Sequence, residues 1–258
     1  MGVYSKVVST ARQIDTIHTF VEGVRKDITS GWVFIDGVRK QVFPTTEAWE
    51  LVFEQLTPGT YTFNVGFGKY RIEMSAGGGG GATALAYQVR THCGGASGGT
   101  GAYGTVSLEY DENTTDTITI IVGSHGNGAT KIEGTAASTG GGATKLSDTT
   151  HGTEFVVLGG GTRGYAHATS NGDTAYVGSG GTFTTTLTDH DLHNGRNGAS
   201  ATTDSGHNHV QGNTTNPDPY SSYGQGGGYK YYPFDNTQAA NNGTDGFVRI
   251  YKSNIYPE

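Results

Sequence analysis

The chain has 258 residues and a mass of 27.0 kDa, with 33% hydrophobic and 15% charged residues, below the roughly 45–50% and 25% of ordinary globular domains. Its net charge of −7 gives no electrostatic basis for binding nucleic acid or an anionic membrane surface, so those partners are excluded. Glycine supplies 44 residues, more than twice the usual share of about 7%, but no Gly-X-Y period indicates collagen. The composition indicates a globular chain with a thin core.

A single cysteine, Cys93, cannot form a disulfide within the chain. We interpret it as a small packed side chain rather than a nucleophile, because no activating pattern surrounds it. Residues 1–19 lack the cationic start and apolar stretch of a signal peptide, and no segment approaches the roughly 18 apolar residues of a membrane span. The sequence predicts a soluble chain made in the cytoplasm, without membrane insertion.

The first third of the chain contains a short internal repeat. The heptapeptide FVEGVRK starts at Phe20 and recurs fourteen residues later, at Phe34, as FIDGVRK. The Glu-Gly and Asp-Gly dipeptides in these copies suit hairpin turns. Two consecutive β-hairpins are therefore predicted between about His18 and Phe43, within an N-terminal module of residues 1–44.

After Pro44 the sequence becomes a series of short apolar runs bounded by Gly, Asn, Asp or Pro. Eight runs alternate or are rich in β-branched residues, which predicts strands. They cover residues 49–54, 59–65, 69–75, 105–110, 116–122, 154–158, 181–187 and 247–251. Many short strands with glycine-rich turns indicate an all-β fold: the N-terminal hairpin repeats, then a glycine-rich, jelly-roll-like β-sandwich over residues 45–258 with long Gly/Asn/Thr/Tyr loops.

Several of these strands lead directly into glycine, as at Gly77 to Gly81, Gly123 and Gly159 to Gly161. Glycine loses the most backbone entropy on folding, so its abundance indicates a role that side chains would obstruct, namely close approach between backbones. Long stretches between the strands have few apolar residues. They are interpreted as functional loops, disorder, or extended glycine helices of the polyproline II type, and ordered glycine packing is favoured over disorder.

These segments resemble the glycine-rich domain of bacteriophage tail fibres and tail-associated adhesins. The resemblance rests on the opening strand at 56–61, the run 70–76 before the glycines, the strand at 116–123 and the closing strand at 246–251. The doubled heptapeptide also resembles repeats that precede this domain in phage structural proteins. The resemblance implies a virion protein that binds without catalysis or cofactors. It also implies that residues 1–44 attach it to other virion proteins, and a homo-oligomer, with a trimer favoured.

Histidines form two clusters in the second half, His190 with His193 and His207 with His209. Residues i and i+2 of a strand face the same way, so His207 and His209 could bind one metal ion together. The pair is similar to the His-X-His motif of some phage fibre tips. A polar loop without metal is the favoured interpretation, because the motif is too short to be specific.

Catalysis is not predicted. The pairs Asp189-His190 and His193-Asn194 resemble ligands of metal-dependent nucleases, but the chain lacks the basic surface and the helix that such enzymes use. Carboxylates near Glu109 are interpreted as solvated charges in turns rather than a glycosidase pair.

Fifteen tyrosines exceed what a thin core needs. Five of them crowd one segment among Gly, Ser and Asn: Tyr220, Tyr223, Tyr229, Tyr231 and Tyr232. This composition is typical of antibody binding loops, so these tyrosines are predicted to contact a receptor; packing of the rings on glycine strands is the open alternative.

The sequence thus predicts a virion protein, synthesised in the host cytoplasm, that acts as a tail fibre or tail-tip adhesin. Its partner would be a glycan or protein of the host surface. The alternative is an architectural virion component, such as a head fibre, capsid decoration or tail-tip protein, without receptor binding.

Overall fold

The computed structural model describes residues 17–21, 24–28, 31–35, 38–43, 47–85, 93–111, 114, 116–132, 134–149, 153–169, 172–203, 211–217, 220–230 and 240–255. All regular elements in these ranges are strands, which confirms the all-β prediction. The ranges contain no helix that could cross a membrane.

Within the described ranges the chain forms 23 strands. They are β1 Ile17–Val21, β2 Val24–Ile28, β3 Gly31–Ile35, β4 Val38–Phe43, β5 Trp49–Gln55, β6 Gly59–Asn64, β7 Gly68–Ser75, β8 Ala82–Leu85, β9 Cys93–Ala96, β10 Tyr103–Tyr110, β11 Thr117–Val122, β12 Ala129–Ile132, β13 Gly134–Ala137, β14 Thr144–Asp148, β15 Thr153–Leu158, β16 Tyr165–Thr169, β17 Gly172–Tyr176, β18 Phe183–Thr185, β19 His190–His193, β20 Ser200–Thr203, β21 Gln211–Thr214, β22 Gly226–Lys230 and β23 Phe247–Ser253. Each of the eight predicted strands overlaps an observed one. In the N-terminal region β1 pairs with β2 and β3 with β4, both antiparallel.

Two five-stranded antiparallel sheets form the larger end of the molecule, here called the base. Sheet I has the order β19-β10-β7-β23-β5, and sheet II has the order β18-β15-β14-β11-β6. Every second residue of their strands faces one shared hydrophobic cluster, to which sheet I contributes Ile72 and Met74 and sheet II contributes Ile118 and Ile120. These four side chains are buried, and each such side chain stabilises the fold by about 1.5–3 kcal/mol.

Three smaller sheets form the far end. Sheet III has the order β12-β8-β9-β20, sheet IV the order β13-β16-β17, and sheet V pairs β21 with β22. Sheets III and IV meet through a cluster made of small side chains only: Ala82, Ala84, Ala136, Ala166 and Ala168. Because alanine buries little apolar area, this end depends on its connections to the rest of the molecule.

Extended glycine-rich segments connect the two ends and together form what we call the glycine array. Segments 1 to 9 are residues 76–81, 97–102, 123–128, 138–143, 159–164, 177–182, 194–199, 224–228 and 240–246. Segment 1 leads from β7 of sheet I to β8 of sheet III, and segment 4 returns from β13 of sheet IV to β14 of sheet II. The chain therefore runs back and forth between the base and the far sheets.

Hydrogen bonds in the array repeat every three residues. In segment 1 the N–H groups of residues 76 and 79 donate to segment 2, those of 77 and 80 to segment 4, and those of 78 and 81 to segment 9, with N···O distances of 2.9 to 3.0 Å. Carbonyls of segment 1 accept N–H groups from segments 3, 5 and 8. A three-residue repeat of hydrogen-bond direction, with no hydrogen bonds inside the segment, is typical of the polyproline II helix. Segment 1 is thus the centre of a six-neighbour bundle.

Close approach, rather than conformational freedom, explains why glycine is needed in the middle of this bundle. A Cβ atom on Gly79 would lie 2.0 Å from the carbonyl oxygen of Thr162, and one on Gly141 would lie 2.1 Å from that of Gly77. Among the described glycines of the array only Gly224 has positive φ. The ordered glycine packing that the sequence favours is therefore present.

Side-chain oxygens complete the hydrogen bonding at the margin of the array. The Oγ1 of Thr139 accepts the N–H of Asn127 at 2.7 Å, and the Oδ1 of Asn242 accepts the N–H of Gly128 at 2.8 Å. The buried Oγ of Ser138 donates toward the carbonyl of Gly80 at 2.7 Å. A buried backbone group left without a partner costs about 1–3 kcal/mol, which explains the Asn, Ser and Thr among the glycines.

Candidate functional site

Tyr220 and Tyr223 lie where the array meets the base. The Tyr223 ring centroid is 4.6 Å from that of Phe247, and the Tyr220 centroid is 5.0 Å from that of Tyr103. The Tyr220 hydroxyl lies 3.2 Å from the Oγ1 of Thr105, and burial raises the pKa of Tyr220. Both rings cover the buried Phe247, which supports the packing alternative. Their role as receptor contacts stays a prediction.

The chain around these tyrosines is held by a buried glutamine. The Nε2 of Gln225 donates to the carbonyls of Tyr220 and Tyr223, both at 3.0 Å, and its Oε1 accepts the N–H of Asn216 at 2.8 Å. Gln225 and Asn216 are both buried. The described residues between β21 and β22 are therefore linked to one another by polar contacts of Gln225.

Cation–π contacts continue across the outer face of sheet I. The Arg249 guanidinium carbon lies 5.0 Å from the Phe247 ring centroid, and its Nε donates to Glu54 at 2.7 Å; this hydrogen bond raises the pKa of Arg249. The Arg71 guanidinium carbon lies 5.2 Å from Trp49 and 4.9 Å from Tyr251. Trp49, Phe247 and Tyr251 therefore already have cationic partners on this face.

Three of the five predicted receptor tyrosines lie in the described part of the chain, and Tyr229 is separated there from Tyr220 and Tyr223. Tyr229 belongs to β22 of sheet V, just after Gly228, whose carbonyl bonds to segment 9 near the far end. Tyr220 and Tyr223 lie at the opposite end of the array. Tyr231 and Tyr232 fall outside the described residues.

One of the two histidine clusters lies within the described residues. His190 and His193 lie on β19, the edge strand of sheet I, where the Nε2 of His193 is 3.0 Å from the Oδ1 of Asp191. His207 and His209 lie outside the described residues, so the favoured polar-loop interpretation and the metal-binding alternative both stay untested. Among the residues that are described, no three or more His, Cys, Asp or Glu side chains could hold a metal ion together.

Two depressions on the described part of the base are small. One of about 180 Å³ lies beside Trp49, Lys69 and Glu109 on sheet I, and one of about 120 Å³ lies between β15 and β18 on sheet II. Both are smaller than the roughly 300–1,000 Å³ of pockets that enclose small-molecule ligands. Neither of these two depressions is therefore large enough to enclose such a ligand.

Sheet IV carries an exposed face that sequence interpretation missed. In β16 the side chains of Ala166 and Ala168 are buried, so Tyr165 and His167 point to the other side. Strand pairing sets Tyr176 opposite Tyr165, and sets Thr135 and Thr174 on either side of His167. We call these five residues the sheet IV face: Thr135, Tyr165, His167, Thr174 and Tyr176. The signal in the sequence was the alternation of alanine with larger residues in YAHAT.

Contacts within the sheet IV face position its polar groups. The Oγ1 of Thr135 lies 3.0 Å from the Nδ1 of His167 and 3.4 Å from the Tyr165 hydroxyl. The Tyr165 and Tyr176 ring centroids are 5.7 Å apart, and Tyr176 is 64% exposed. Aromatic rings beside adaptable hydroxyl groups are typical of binding surfaces.

A scan against models of protein families gives no match, and neither does a search of curated proteins.

Proposed function

We propose that this protein is a bacteriophage virion protein, a tail fibre or tail-tip adhesin that recognises the host surface by non-covalent binding. The glycine array is the observation that carries the proposal. Seven of its segments directly join a strand of the base to a strand of the far sheets. At about 3.1 Å per residue, a segment of six residues spans roughly 19 Å.

Rigidity is the property that this spacer supplies. Segment 1 is bonded to six other segments, and its glycines are buried. Such a bundle holds the far sheets at a fixed distance and orientation from the base, which reduces the ordering cost when they bind a partner. This arrangement suits the display of a recognition surface better than the enclosure of a substrate.

The two ends would then have different partners. Residues 1–44 precede the first strand of the base, and we assign to them attachment to other virion proteins. In this proposal sheets I and II of the base form the β-sandwich of the domain predicted for residues 45–258. The far sheets present the recognition surface. Assembly as a homo-oligomer, with three copies favoured, would multiply weak contacts with the host surface.

Competition for adsorption tests the proposal. Purified full-length protein, labelled with a fluorophore, is added to cells of a panel of bacterial strains before the phage that encodes it. We expect the protein to bind the permissive strains and to slow phage adsorption to them. Immunogold labelling of virions should place the chain at the tail. Labelling of the capsid, with no binding to cells, would favour the architectural alternative.

The predicted tyrosine contacts need a second readout. Tyr223→Ala should weaken cell binding if the ring contacts a receptor, but loss of its contact with Phe247 should also lower the melting temperature. Tyr223→Leu keeps apolar volume against Phe247 and serves as the control. Weaker cell binding by Tyr223→Leu at an unchanged melting temperature would support a receptor contact. A lower melting temperature of Tyr223→Ala, with normal cell binding by Tyr223→Leu, would leave Tyr223 a packing residue.

A further inference from the structure

We propose that the sheet IV face binds an uncharged oligosaccharide. The inference rests on the proposed function, since the sugar is taken to belong to the host surface. It concerns residues 135, 165, 167, 174 and 176, all on β13, β16 and β17.

The face offers both kinds of contact that a sugar ring uses. A pyranose has an apolar C–H side that packs against aromatic rings, and the Tyr165 and Tyr176 rings stand 5.7 Å apart at an interplanar angle of 53°. Its hydroxyl groups both donate and accept hydrogen bonds, as do the hydroxyls of Thr135 and Thr174. With Tyr176 64% exposed, the apolar contact is open to a partner.

Charge favours a neutral ligand. None of the five residues is Lys, Arg, Asp or Glu, so the face offers no fixed counter-ion to a sulfated, phosphorylated or sialylated sugar. Removing water from a charged group of the sugar on this face would cost free energy, and no ion pair would offset that cost. Asp173 of β17 pairs with Ala168 of β16, whose side chain is buried. Alternation along the strand therefore directs Asp173 away from the sheet IV face.

Area favours a sugar over a protein partner. The central strand β16 has five residues, and three strands spaced by about 4.8 Å with about 3.3 Å per residue give a face of roughly 200 Å². A stable protein interface buries about 800 Å² on each partner. A short oligosaccharide needs only the smaller area.

The array fixes the face in advance. β13 continues into segment 4, segment 5 continues into β16, and β17 continues into segment 6, so each strand of sheet IV is attached to the bundle. The N–H groups of Gly141, Gly161 and Gly178 are bonded to other segments at 2.9 to 3.0 Å. A preorganised face loses little conformational entropy on binding, which matters most for a weakly binding ligand such as a sugar.

Glycan-array screening followed by saturation-transfer NMR on the full-length protein tests the inference. The probes are neutral oligosaccharides of glucose, galactose and N-acetylglucosamine, with sialylated and phosphorylated counterparts. We expect binding of at least one neutral sugar, with NMR contacts to its C–H groups. Tyr176→Ala should raise its Kd about tenfold or more, while Tyr176→Phe should retain binding within about twofold because the ring remains. Leu51→Ala, at a residue 47% exposed on the base, is the matched control and should change nothing.

The outcomes separate this inference from the proposed function. If the protein binds cells and slows adsorption while no neutral sugar binds, the glycan inference is wrong and the adhesin proposal stands. The glycan inference would also be wrong if the protein bound only acidic sugars, or if protease treatment of the cells abolished cell binding. If a sugar has the same Kd for Tyr176→Ala as for the unaltered protein, its binding site lies elsewhere on the molecule. If neither sugars nor cells are bound, both proposals fail.

Discussion

In the base, strands fill the space between two sheets with large side chains, whereas in the array the side chains are removed so that backbones touch. Ile120 is fully buried among other apolar residues, while a Cβ on Gly79 would lie 2.0 Å from a carbonyl oxygen. The base is stabilised by burial of apolar area, at about 25 cal/mol per Å². The array depends on backbone hydrogen bonds, each worth only about 0.5–1.5 kcal/mol net, and must offset the large entropy loss of glycine.

This difference has a consequence for cooperativity. Partners in the array are distant in sequence: Gly78 donates to Thr244, and Gly126 donates to Gly78. No segment can satisfy its N–H and C=O groups until several others are in place. Among the base pairings, β14 and β15 are consecutive along the chain and can pair early. The array should therefore tolerate local damage less well than the base.

Adding one methyl group to the array should have the largest effect. In Gly79→Ala the new Cβ meets the carbonyl of Thr162, and because that oxygen is backbone it cannot rotate away. We expect a loss of more than about 3 kcal/mol in the free energy of unfolding, at or beyond the usual cost of overpacking. Thermal unfolding followed by circular dichroism measures it.

Gly140→Ala is the matched control for Gly79→Ala. The atom nearest to its Cβ, apart from those of its chain neighbours, would be the carbonyl oxygen of Gly161 at 3.4 Å. By contrast, a Cβ on the adjacent Gly141 would lie 2.1 Å from the carbonyl oxygen of Gly77. We expect no loss, or a gain of up to about 1 kcal/mol, because alanine restricts the unfolded chain. Equal melting temperatures for the two variants would mean that the bundle is loosely packed.

Removing side-chain volume should instead damage the base. Ile120→Ala in β11 creates a cavity in the shared cluster, and a loss of about 3 kcal/mol is expected. Ile120→Val removes a single methylene and should cost about 0.5–1.5 kcal/mol. Urea titration gives both values; a flat response across this series would contradict a close-packed base.

The junction between the two regions depends on one buried hydroxyl. The Oγ1 of Thr144 accepts the N–H of Gly123 at 3.0 Å and donates to the carbonyl of Ser75 at 2.9 Å. Thr144→Val keeps the shape but leaves both backbone groups without this partner, and should cost about 1–3 kcal/mol. Thr144→Ser retains the hydroxyl and should recover most of that loss. If valine and serine behave alike, the hydroxyl does not couple the base to the array.

The base could be predicted from sequence because its signal is local. In β11 the residues from Thr117 to Val122 alternate between half-buried and buried, and runs that alternate or are rich in β-branched residues identified the eight predicted strands. β14, with the sequence TKLSD, was missed because Leu146 is its only apolar residue. Pairing with β11 and β15 makes it a strand.

The array and the candidate site could be predicted only in part. Close backbone packing follows from the amount of glycine, but the partners of each segment are set by contacts across the whole chain. Segment 7, with the sequence NGRNGA, reads as a loop in isolation. Tyr220 and Tyr229 were grouped because they are near in sequence, and the array separates them. Tyr165 and Tyr176 lie opposite each other because β16 pairs with β17. The few apolar residues of these two segments did not predict strands.

The smallest expected effect depends on pH and acts on the base. Tyr110 ends β10, with its ring centroid 5.9 Å from that of Tyr70. Burial, followed by the negative charges of Asp116 and Asp148, raises its pKa from 10.0 to about 12. The unfolded chain loses this proton near pH 10, whereas the folded protein keeps it to about pH 12. Stability that is complete below pH 10 is therefore lost as the pH rises from 10 towards 12.

Melting temperatures measured across this alkaline range should fall less steeply for Tyr110→Phe than for the unaltered chain. The slope should not vanish, because burial also raises the pKa values of Tyr220 and Tyr251. Asp116→Asn removes one of the charges that act on Tyr110 and should reduce the slope by a smaller amount. Identical slopes in all three proteins would contradict the effect. The backbone amides that join the array do not titrate in this range, so hydrogen exchange should show alkaline loss of protection beginning in β10 and its neighbours, before segment 1.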